Sequence, residues 1–350
     1  MRVNGNHYRT VWMENSSVFM IQQNLLPFQF QIYEAKSCQD TCEAIKTMIV
    51  RGAGAIGAAA GFALAQAFYE GKEDIEKARK QIEQTRPTAR DLFYATERVY
   101  EAAKSSPHPA QAAFQEAQQL AEENVQACKL IGQHGAPLLD VGKWDVNILT
   151  HCNAGWLAFV DYGTALASVY HVHGNKEFGY PSIHIYVSET RPRGQGARLT
   201  AWELQQQGLP HTIIADSAAA SLMARGKIDL VLVGADRIAR NYDTANKIGT
   251  LEKAILAKEF YIPFCVAAPT STIDNSLPSG AEIPIEERSQ DELLYQEGPT
   301  AEGKLEKILI CSPGSRAYNP AFDVTPAKYI SAIITEKGMI KPAEISRLLL

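Results

Sequence analysis

The spacing of hydrophobic and polar positions changes along the chain and divides it into two parts. Residues 8–35 alternate short β-rich runs with polar breaks, which predicts a small antiparallel sheet. Residues 41–135 carry apolar side chains at helical spacing, which predicts a series of helices. From about residue 145, short apolar runs alternate with segments of helical composition, which predicts a parallel sheet with helices on both faces. The strand-like runs are VNILT (146–150), SIHIYV (182–187), HTIIA (211–215), IDLVLVG (228–234) and PFCVAA (263–268).

This change of pattern predicts an α/β fold with two domains. We place the boundary within residues 136–146 and expect residues 1–140 to form a smaller N-terminal domain of short antiparallel strands and helices. Residues 141–350 would then form the domain with the parallel sheet. A chain of 350 residues is long enough for two domains, each with its own core.

Charge and composition narrow the class of partner. The net charge is −5 and the basic residues are scattered, so we expect neither nucleic acid nor a membrane surface as partner. No apolar run approaches the ~18 residues that span a bilayer, and the segment MRVNGNHYRT lacks a secretory layout, so we expect a cytoplasmic protein. The six cysteines and eight histidines show no metal-ligand spacing, so we expect reduced thiols and no metal. A small molecule is the default partner.

Polar and reactive residues follow four of the five strand-like runs. Because ligands of open parallel sheets bind beyond the carboxyl ends of the strands, we expect these residues to converge on one polar pocket. They are His151, Cys152 and Asn153 after the first run, residues 188–191 after the second, Asp236 and Arg237 after the fourth, and residues 269–271 after the fifth.

Two of these residues could carry chemistry. Cys152 precedes a segment, residues 155–170, that we expect to be helical, and a helix N-terminus favours a thiolate that can act as base or nucleophile. A buried core thiol is the alternative. Asp236 follows a fully apolar run, where loss of water raises a carboxyl pKa and allows the group to act as a general acid. An ion pair with Arg237 or Arg240, or a helix cap, is equally compatible with the sequence.

A glycine-rich turn lies at residues 51–57, RGAGAIG. Gly52, Gly54 and Gly57 match the dinucleotide-binding pattern G-x-G-x-x-G, but residues 41–50 have helical rather than strand spacing, so we expect no nicotinamide cofactor. A glycine-rich turn that opens a helix, with Arg51 beside it, is nevertheless suited to bind a phosphate. Tight helix packing is the alternative interpretation, and both can hold.

Further basic and amide side chains could complete an anion site. Arg86, Gln195, Asn246 and Lys247 are each a weak signal, because most such residues are solvated surface positions. A cluster of this kind would bind a phosphate and sugar hydroxyls through bidentate and point-charge hydrogen bonds.

Six segments of the chain resemble one known family. They strongly resemble the methylthioribose-1-phosphate isomerase family, which belongs to the superfamily shared with the regulatory subunits of translation initiation factor 2B. The resemblance covers nearly the whole chain from about residue 8. The segments are RGAGAIG (51–57), LTHCNAGWLAFVDYGTALA (149–167), SETRPRGQGARLTAWEL (188–204), VGADRIARNYDTANKIGT (233–250), PFCVAAPTSTID (263–274) and NPAFDVTPAKYISAIITEKG (319–338).

The resemblance implies an N-terminal domain with a small sheet and helices, a C-terminal Rossmann-like domain, a homodimer, and an active site between the domains. It implies that Cys152 and Asp236 are the catalytic pair, without a cofactor. By motif position, the residues expected to contact the substrate are Arg51, Gly52, Ala53, Arg86, Gln195, Asn246 and Lys247.

The activity that this resemblance implies is conversion of 5-methylthioribose 1-phosphate to 5-methylthioribulose 1-phosphate in methionine salvage. Gly54 stands where the family usually has proline, and Arg193-Gly194 departs from the commoner loop sequence, so the substituent at the 5-position is open. The alternatives are therefore an isomerase of 5-deoxyribose 1-phosphate or ribose 1,5-bisphosphate. A regulatory subunit without catalytic activity, like those of initiation factor 2B, is a third alternative.

Overall fold

The computed structural model describes residues 1–87, 89–175 and 181–342. Its strands are β1 (Arg2–Val3), β2 (Asn6–His7), β3 (Val11–Glu14), β4 (Ser17–Ile21), β5 (Ile32–Ala35), β6 (Asp145–Thr150), β7 (Ser182–Ser188), β8 (His211–Ile214), β9 (Leu230–Val233), β10 (Arg237–Ala239), β11 (Thr244–Lys247), β12 (Phe264–Ala267), β13 (Ile273–Asp274), β14 (Tyr295–Pro299), β15 (Leu305–Leu309), β16 (Phe322–Thr325), β17 (Ala332–Thr335) and β18 (Gly338–Ile340). Its α-helices are α1 (Cys38–Lys46), α2 (Ala53–Tyr69), α3 (Ile75–Gln84), α4 (Arg90–Lys104), α5 (Pro109–Gly135), α6 (Ala165–Gly174), α7 (Ala201–Gln206), α8 (Ala219–Ala224), α9 (Thr250–Glu259) and α10 (Asp291–Leu294).

The N-terminal part combines a small antiparallel sheet with helices. Strands β3, β4 and β5 pair in that order, which confirms the sheet predicted for residues 8–35. Helix α1 begins after Ser37, whose hydroxyl accepts from the amide of Asp40 while the Asp40 carboxylate accepts from the amide of Ser37. This reciprocal cap fixes the start of the helix.

Helix α2 is the centre of this part. Its Ala- and Gly-rich sequence is buried along almost its whole length and packs against α1, α4 and α5. Small side chains allow this close approach, because a helix that is apolar on all sides is stable only where other elements cover it. The start of α2 therefore has a fixed position relative to its neighbours.

The C-terminal part is built on a seven-stranded sheet in the order β18-β17-β12-β9-β6-β7-β8. All neighbouring strands are parallel except β17 and β18, which are antiparallel. The five strand-like runs of the sequence correspond to β6, β7, β8, β9 and β12, so the predicted α/β class is confirmed. The central strands β9 and β12 are buried throughout, as expected for a sheet covered on both faces.

A second sheet, in the order β13-β10-β11-β16, stands at the end of the large one. The chain that leaves β9 enters this sheet as β10 and turns back as β11, which pairs with β16 on its other side. The composition of residues 274–305, rich in Glu, Ser, Pro and Gly, predicts a long surface excursion. In the structure β14 lies in this segment and forms an antiparallel hairpin with β15, which begins at its end.

The cores follow the two parts of the chain closely but not completely. One hydrophobic cluster is formed by side chains from residues 11–125 together with Val160. The end of α5, through Ile131, packs instead with the large sheet. The division into residues 1–140 and 141–350 stays a prediction. In the part of the chain that the structure describes, no helix has the length and apolar composition required to cross a bilayer.

Candidate active site

A cavity that is partly open to solvent lies where the start of α2 faces the carboxyl ends of β6 and β9. All nine side chains or turn residues that the sequence suggested for the site line it. They are Arg51, Gly52, Ala53, Arg86, Cys152, Gln195, Asp236, Asn246 and Lys247. The cavity therefore brings the sulfur and the carboxyl group together with the expected anion-binding groups.

The backbone holds Cys152 in an unusual conformation. Its φ is 64°, in the left-handed region that residues with a side chain rarely adopt. Its amide donates to Thr190 Oγ1 at 2.8 Å, and its carbonyl accepts from Thr200 Oγ1 at 2.7 Å. Two threonine hydroxyls thus stabilise the turn that presents the thiol, and the side chain is only partly buried. Such strain persists only where surrounding contacts determine the conformation.

The predicted helix over residues 155–170 is wrong. Only a short 3₁₀ turn, Trp156–Ala158, follows Cys152, and α6 begins at Ala165. The chain crosses itself here, because a Cβ placed on Gly163 would lie 2.2 Å from the carbonyl carbon of Gly155. An uninterrupted helix cannot make this crossing. Cys152 consequently does not lie at an α-helix N-terminus, and the helix-dipole argument for its reactivity does not apply.

Asp236 lies between β9 and β10, and its amide donates to the carbonyl of Ala245 at 3.0 Å. Burial raises the pKa of the Asp236 carboxyl, while the positive charges of Lys247 and Arg51 act against that rise. The pKa of Asp236 is raised on balance, because the loss of water around the carboxylate has a larger effect than the nearby positive charges. Asp236 can therefore hold a proton closer to neutrality than an exposed aspartate.

The glycine-rich turn contributes a cation and a helix start. Arg51 Nη2 donates to the carbonyl of Asn153 at 3.0 Å, which ties the turn to the loop after β6. Gly52 has a φ of 93°, and a Cβ there would lie 2.3 Å from the Cα of Ala158. Helix α2 begins directly after it, and Gly52 and Ala53 line the cavity beside Arg51. The first amides of a helix have no partner within the helix, so they are suited to bind an anion at this place.

Strand β11 and the loop before α7 supply buried polar groups. Lys247 is 6% exposed, and its Nζ donates to the carbonyl of Ala321 at 2.7 Å and lies 4.6 Å from the ring centre of Phe322. Burial lowers the pKa of Lys247, and the neighbouring Cys152 and Asp236 side chains oppose this. The amide group of Asn246 donates to Thr250 Oγ1 at 3.1 Å, and Gln195 Oε1 is buried without a partner among the described residues. An unpaired buried acceptor is what a ligand hydroxyl could satisfy.

Three arginines complete the positive lining. Burial lowers the pKa of Arg86 to about 10, with a further contribution from the nearby Arg288. Arg193 Nη1 lies 2.9 Å from Glu292 Oε1, and Arg288 Nε lies 3.2 Å from Glu286 Oε1. Sequence reasoning missed Arg193 and Arg288 as site residues. Arg193 shares a loop with Gln195 and could have been found, whereas Arg288 lies in the region expected to be a surface excursion.

The histidine at the site is neutral. His151 is 1% exposed, and burial together with the positive charge of Lys253 lowers its pKa to about 3. Its Nε2 lies 2.8 Å from the carbonyl oxygen of Ile248, to which it donates. Five basic side chains and one carboxyl group thus set the charge of the described cavity wall, which suits a ligand with a doubly charged phosphate.

The expected convergence of four strand ends is only partly correct. The ends of β6 and β9 line the cavity, and β7 contributes through its following loop. Residues 269–271 after β12 line a separate cleft against α4 and α5. Thr190, after β7, acts on the site through its hydrogen bond to the Cys152 backbone. Of the described residues, none form a cluster of three or more His, Cys, Asp or Glu side chains placed to hold a metal ion.

Comparison with known proteins shows the family of the chain. A model of the initiation factor 2 subunit family matches residues 49–342. The methylthioribose-1-phosphate isomerase of Methylorubrum extorquens is 45% identical, and the alignment covers 98% of this chain and 96% of that protein. The chain belongs to the methylthioribose-1-phosphate isomerase family.

Solved structures of similar chains place the same fold in this family and in its wider superfamily. The crystal structure of 5-methylthioribose 1-phosphate isomerase from Pyrococcus horikoshii has a TM-score of 0.83 and 43% identity, and the match covers 98% of this chain and 96% of that one. The structure of translation initiation factor eIF-2B, subunit delta, from A. fulgidus has a TM-score of 0.79 and 37% identity, with 97% and 98% covered.

The departure at Gly54 has a structural counterpart. Glycine in place of the usual proline predicts a more pliant turn at this position. In the structure Gly54 is inside α2, and a Cβ there would lie 2.3 Å from a ring carbon of Phe159 and 2.5 Å from Asn124 Nδ2. Glycine at this position thus makes room for Phe159, which itself lines the cavity.

Proposed function

We propose that this chain isomerises 5-methylthioribose 1-phosphate to 5-methylthioribulose 1-phosphate. The observation that carries the proposal is the single cavity in which Cys152 and Asp236 meet under a strongly positive wall. The relatives at 43–46% identity that carry the name of this isomerase support the same assignment.

The cavity has the charge and the hydrogen-bonding groups for a sugar phosphate. Five basic side chains and the polar groups of Gln195 and Asn246 line one concave site, as expected for an anionic ligand with hydroxyl groups. We assign phosphate binding to the amides at the start of α2 and to the guanidinium groups of Arg51 and Arg86. The sugar hydroxyls and the remaining phosphate oxygens would then be bound by Gln195, Asn246 and Lys247.

The first chemical task is to open the furanose ring, which the C1 phosphate locks as an acetal. Asp236 is suited to this step, because its raised pKa lets it carry a proton that it can donate to the ring oxygen as the bond from C1 to that oxygen breaks. The C1 phosphate oxygen assists by sharing the positive charge that develops at C1. Asp236 is then a carboxylate and can accept the proton of the C2 hydroxyl.

The second task is to move hydrogen from C2 to C1. In one route Cys152 removes the C2 proton as thiolate, an enol forms between C1 and C2, and the thiol returns the proton to C1. In the other route the C2 hydrogen moves to C1 with its electron pair while the C2 hydroxyl loses its proton, and Cys152 stabilises the transition state. Turnover in deuterium oxide distinguishes them, because deuterium at C1 of the product requires the first route.

The assignment is tested by assaying the purified chain side by side with methylthioribose 1-phosphate, 5-deoxyribose 1-phosphate and ribose 1,5-bisphosphate. We expect the highest kcat/KM with the first substrate. Cys152→Ser and Asp236→Asn should each reduce kcat by about 10²–10⁴-fold, as expected for loss of an acid or base. Cys311→Ser and Asp145→Asn, a partly buried thiol and an exposed carboxylate outside the cavity, are the matched controls.

The possible outcomes separate the alternatives. Preference for another substrate would move the proposal to that isomerase. Absence of turnover with all three in a folded protein would instead favour a regulatory subunit, and full activity of both Cys152→Ser and Asp236→Asn would refute the catalytic assignment.

We further propose that the protein is cytoplasmic and forms a homodimer. Each chain would consist of an N-terminal domain (1–140) and a C-terminal domain (141–350). The resemblance supports the dimer, and the residue clusters of the two cores support the division. Light scattering after size-exclusion chromatography would measure the mass, for which we expect about twice the 38.5 kDa of one chain. A mass of one chain at micromolar concentration would contradict the dimer.

A further inference from the structure

A buried carboxyl group lies behind the wall of the cavity. Glu203, on α7, is 0% exposed and is not one of the residues that line the cavity. Burial raises the pKa of Glu203 to about 8, against the opposing effect of hydrogen bonds from the Leu157 backbone and the Asn153 side chain. A carboxyl group in such a place is costly unless every hydrogen-bonding position is used.

The hydrogen bonds of Glu203 all lead to the loop that carries Cys152. Its Oε1 accepts from Asn153 Nδ2 at 2.7 Å, and its Oε2 accepts from the amide of Leu157 at 3.3 Å. Asn153 Nδ2 also donates to Thr200 Oγ1 at 3.2 Å, and that hydroxyl donates to the Cys152 carbonyl. The carboxyl group thus contacts the loop at Asn153, the residue after Cys152, and again at Leu157.

These contacts determine how the amide of Asn153 is oriented. Because both hydrogens of Nδ2 are donated to Thr200 and Glu203, Oδ1 must point the other way. Asn153 is 4% exposed, lines the cavity, and its Oδ1 has no partner among the described residues. The arrangement leaves an acceptor at the cavity wall that a substrate hydroxyl can use.

The loop has little freedom to adjust to a different group at residue 203. A Cβ on Gly155 would lie 1.7 Å from Glu203 Oε1, so the backbone of the loop rests directly on the carboxyl group. A carboxyl group can accept at both oxygens whether it is ionised or protonated, whereas an amide can accept at only one. Glutamine has nearly the same shape but would place its NH₂ against a second donor, either Asn153 Nδ2 or the Leu157 amide.

We propose that Glu203 is a positioning residue that, through Asn153 and the 153–157 loop, sets the place of the Cys152 thiol and of the Asn153 acceptor. This rests on the proposed isomerase function. Its effect on activity passes through other residues, since Glu203 does not reach the cavity itself. It follows that loss of the carboxyl group lowers the rate of the chemical step more than it weakens substrate binding.

A double-mutant cycle tests this with matched changes. In Glu203→Gln the new NH₂ group can face the NH₂ group of Asn153, so that two donors meet. In Asn153→Asp the new carboxylate faces the carboxyl group of Glu203, so that two acceptors meet. The double variant again places one donor opposite one acceptor at this contact. We expect Glu203→Gln to lower kcat by about 10–100-fold, as a misplaced reacting group does, with KM changed less than about threefold. The double variant should regain at least about fivefold over either single variant. Gln205→Glu, an exposed position on α7, is the control for a charge change on this helix.

Thiol alkylation provides a readout that does not depend on substrate. Cys152 and Cys311 are the partly exposed cysteines, and the other four are buried, so iodoacetamide modification of these two can be followed by peptide mass spectrometry. Glu203→Gln should change the ratio of the Cys152 rate to the Cys311 rate by about threefold or more. If Glu203→Gln does not fold, Thr200→Val removes support from the same loop, and we expect the same effects.

The outcomes either support or overturn the inference. A fall in kcat with a changed alkylation ratio and recovery in the double variant supports it. Wild-type kcat and an unchanged ratio in Glu203→Gln overturn it, as do independent effects of the two substitutions. If the unchanged chain does not isomerise the sugar phosphate, the proposed function fails, and the alkylation ratio still decides the role of Glu203.

Discussion

Substitution of Gly52 by alanine tests how closely the glycine-rich turn, to which we assign phosphate binding, is fixed against the Cys152 loop. Two costs add at this position. The backbone has a φ of 93° and a ψ of 146°, a conformation that essentially only glycine adopts, which costs about 1–3 kcal/mol for alanine. The new Cβ would also lie 2.3 Å from Ala158 Cα and 2.5 Å from its carbonyl oxygen. Relieving such overpacking costs about 1–3 kcal/mol more.

Gly71→Ala separates these two costs. Gly71 has a φ of 64°, is exposed, and an added Cβ would meet nothing within 4 Å. Only the backbone cost of about 1–2 kcal/mol applies there. We therefore expect Gly52→Ala to lower the free energy of unfolding by about 2–6 kcal/mol, and by at least about 1 kcal/mol more than Gly71→Ala does.

Urea unfolding followed by circular dichroism measures the stability of both variants, and initial rates with the sugar phosphate measure their activity. The clash can be relieved only by moving residues 51–53 away from Ala158, so kcat/KM of Gly52→Ala should fall by about 10–100-fold. Gly71→Ala should keep its activity. Equal stability of the two variants, or full activity of Gly52→Ala, would refute the close contact on which this reasoning depends.

Two further predictions concern charge. Lys247→Met should raise KM by about tenfold, because the cation assigned to the substrate is lost. The unfolding midpoint should stay equal or rise, because an apolar side chain of similar length replaces a buried cation. An unchanged KM in steady-state kinetics would count against phosphate or hydroxyl binding by Lys247. Burial raises the pKa of Glu203 to about 8, so the folded state binds its proton more strongly, and this contribution to stability is complete below about pH 4.5 and is lost as pH rises to 8. Between pH 6 and pH 8, the free energy of unfolding should therefore fall less steeply in Glu203→Gln than in the unchanged chain. The difference between the two slopes should be up to about 1.4 kcal/mol per pH unit. Identical slopes, measured by urea unfolding at several pH values, would contradict the raised pKa of Glu203.

Local patterns predicted most of the sheet and the place of the site. Apolar runs bounded by polar residues located β6, β7, β8, β9 and β12, because a strand buried on both faces has to be apolar along its length. The rule that ligands bind beyond strand ends then placed Cys152 and Asp236 together, although 83 residues separate them between positions 152 and 236. Neither inference needed knowledge of the contacts made by individual side chains.

The errors arose where tertiary contacts override local preference. Residues 155–170 are apolar and alanine-rich enough for a helix, but the crossing of Gly163 over Gly155 requires an irregular loop. Similarly, Arg288 reaches the cavity from a polar segment whose composition predicts only surface, and the folding of that segment back over the site has no local signal. Both errors concern pairs of segments distant in sequence, about which spacing within one segment carries no information.

The loop after β6 connects these observations. Cys152 adopts a positive φ in this irregular loop, where its backbone is hydrogen-bonded to Thr190 and Thr200. Glu203 accepts from the Leu157 amide farther along the same loop. No α-helix begins at this loop, and the positive groups that line the cavity with Cys152, among them Arg51 and Lys247, come from other elements. Since we assign those cations to substrate binding in the same cavity, substrate binding and thiol reactivity should depend on the same charges. Removing either cation should therefore weaken both properties together, and a variant that lost one while keeping the other would show that the two charges act at separate sites.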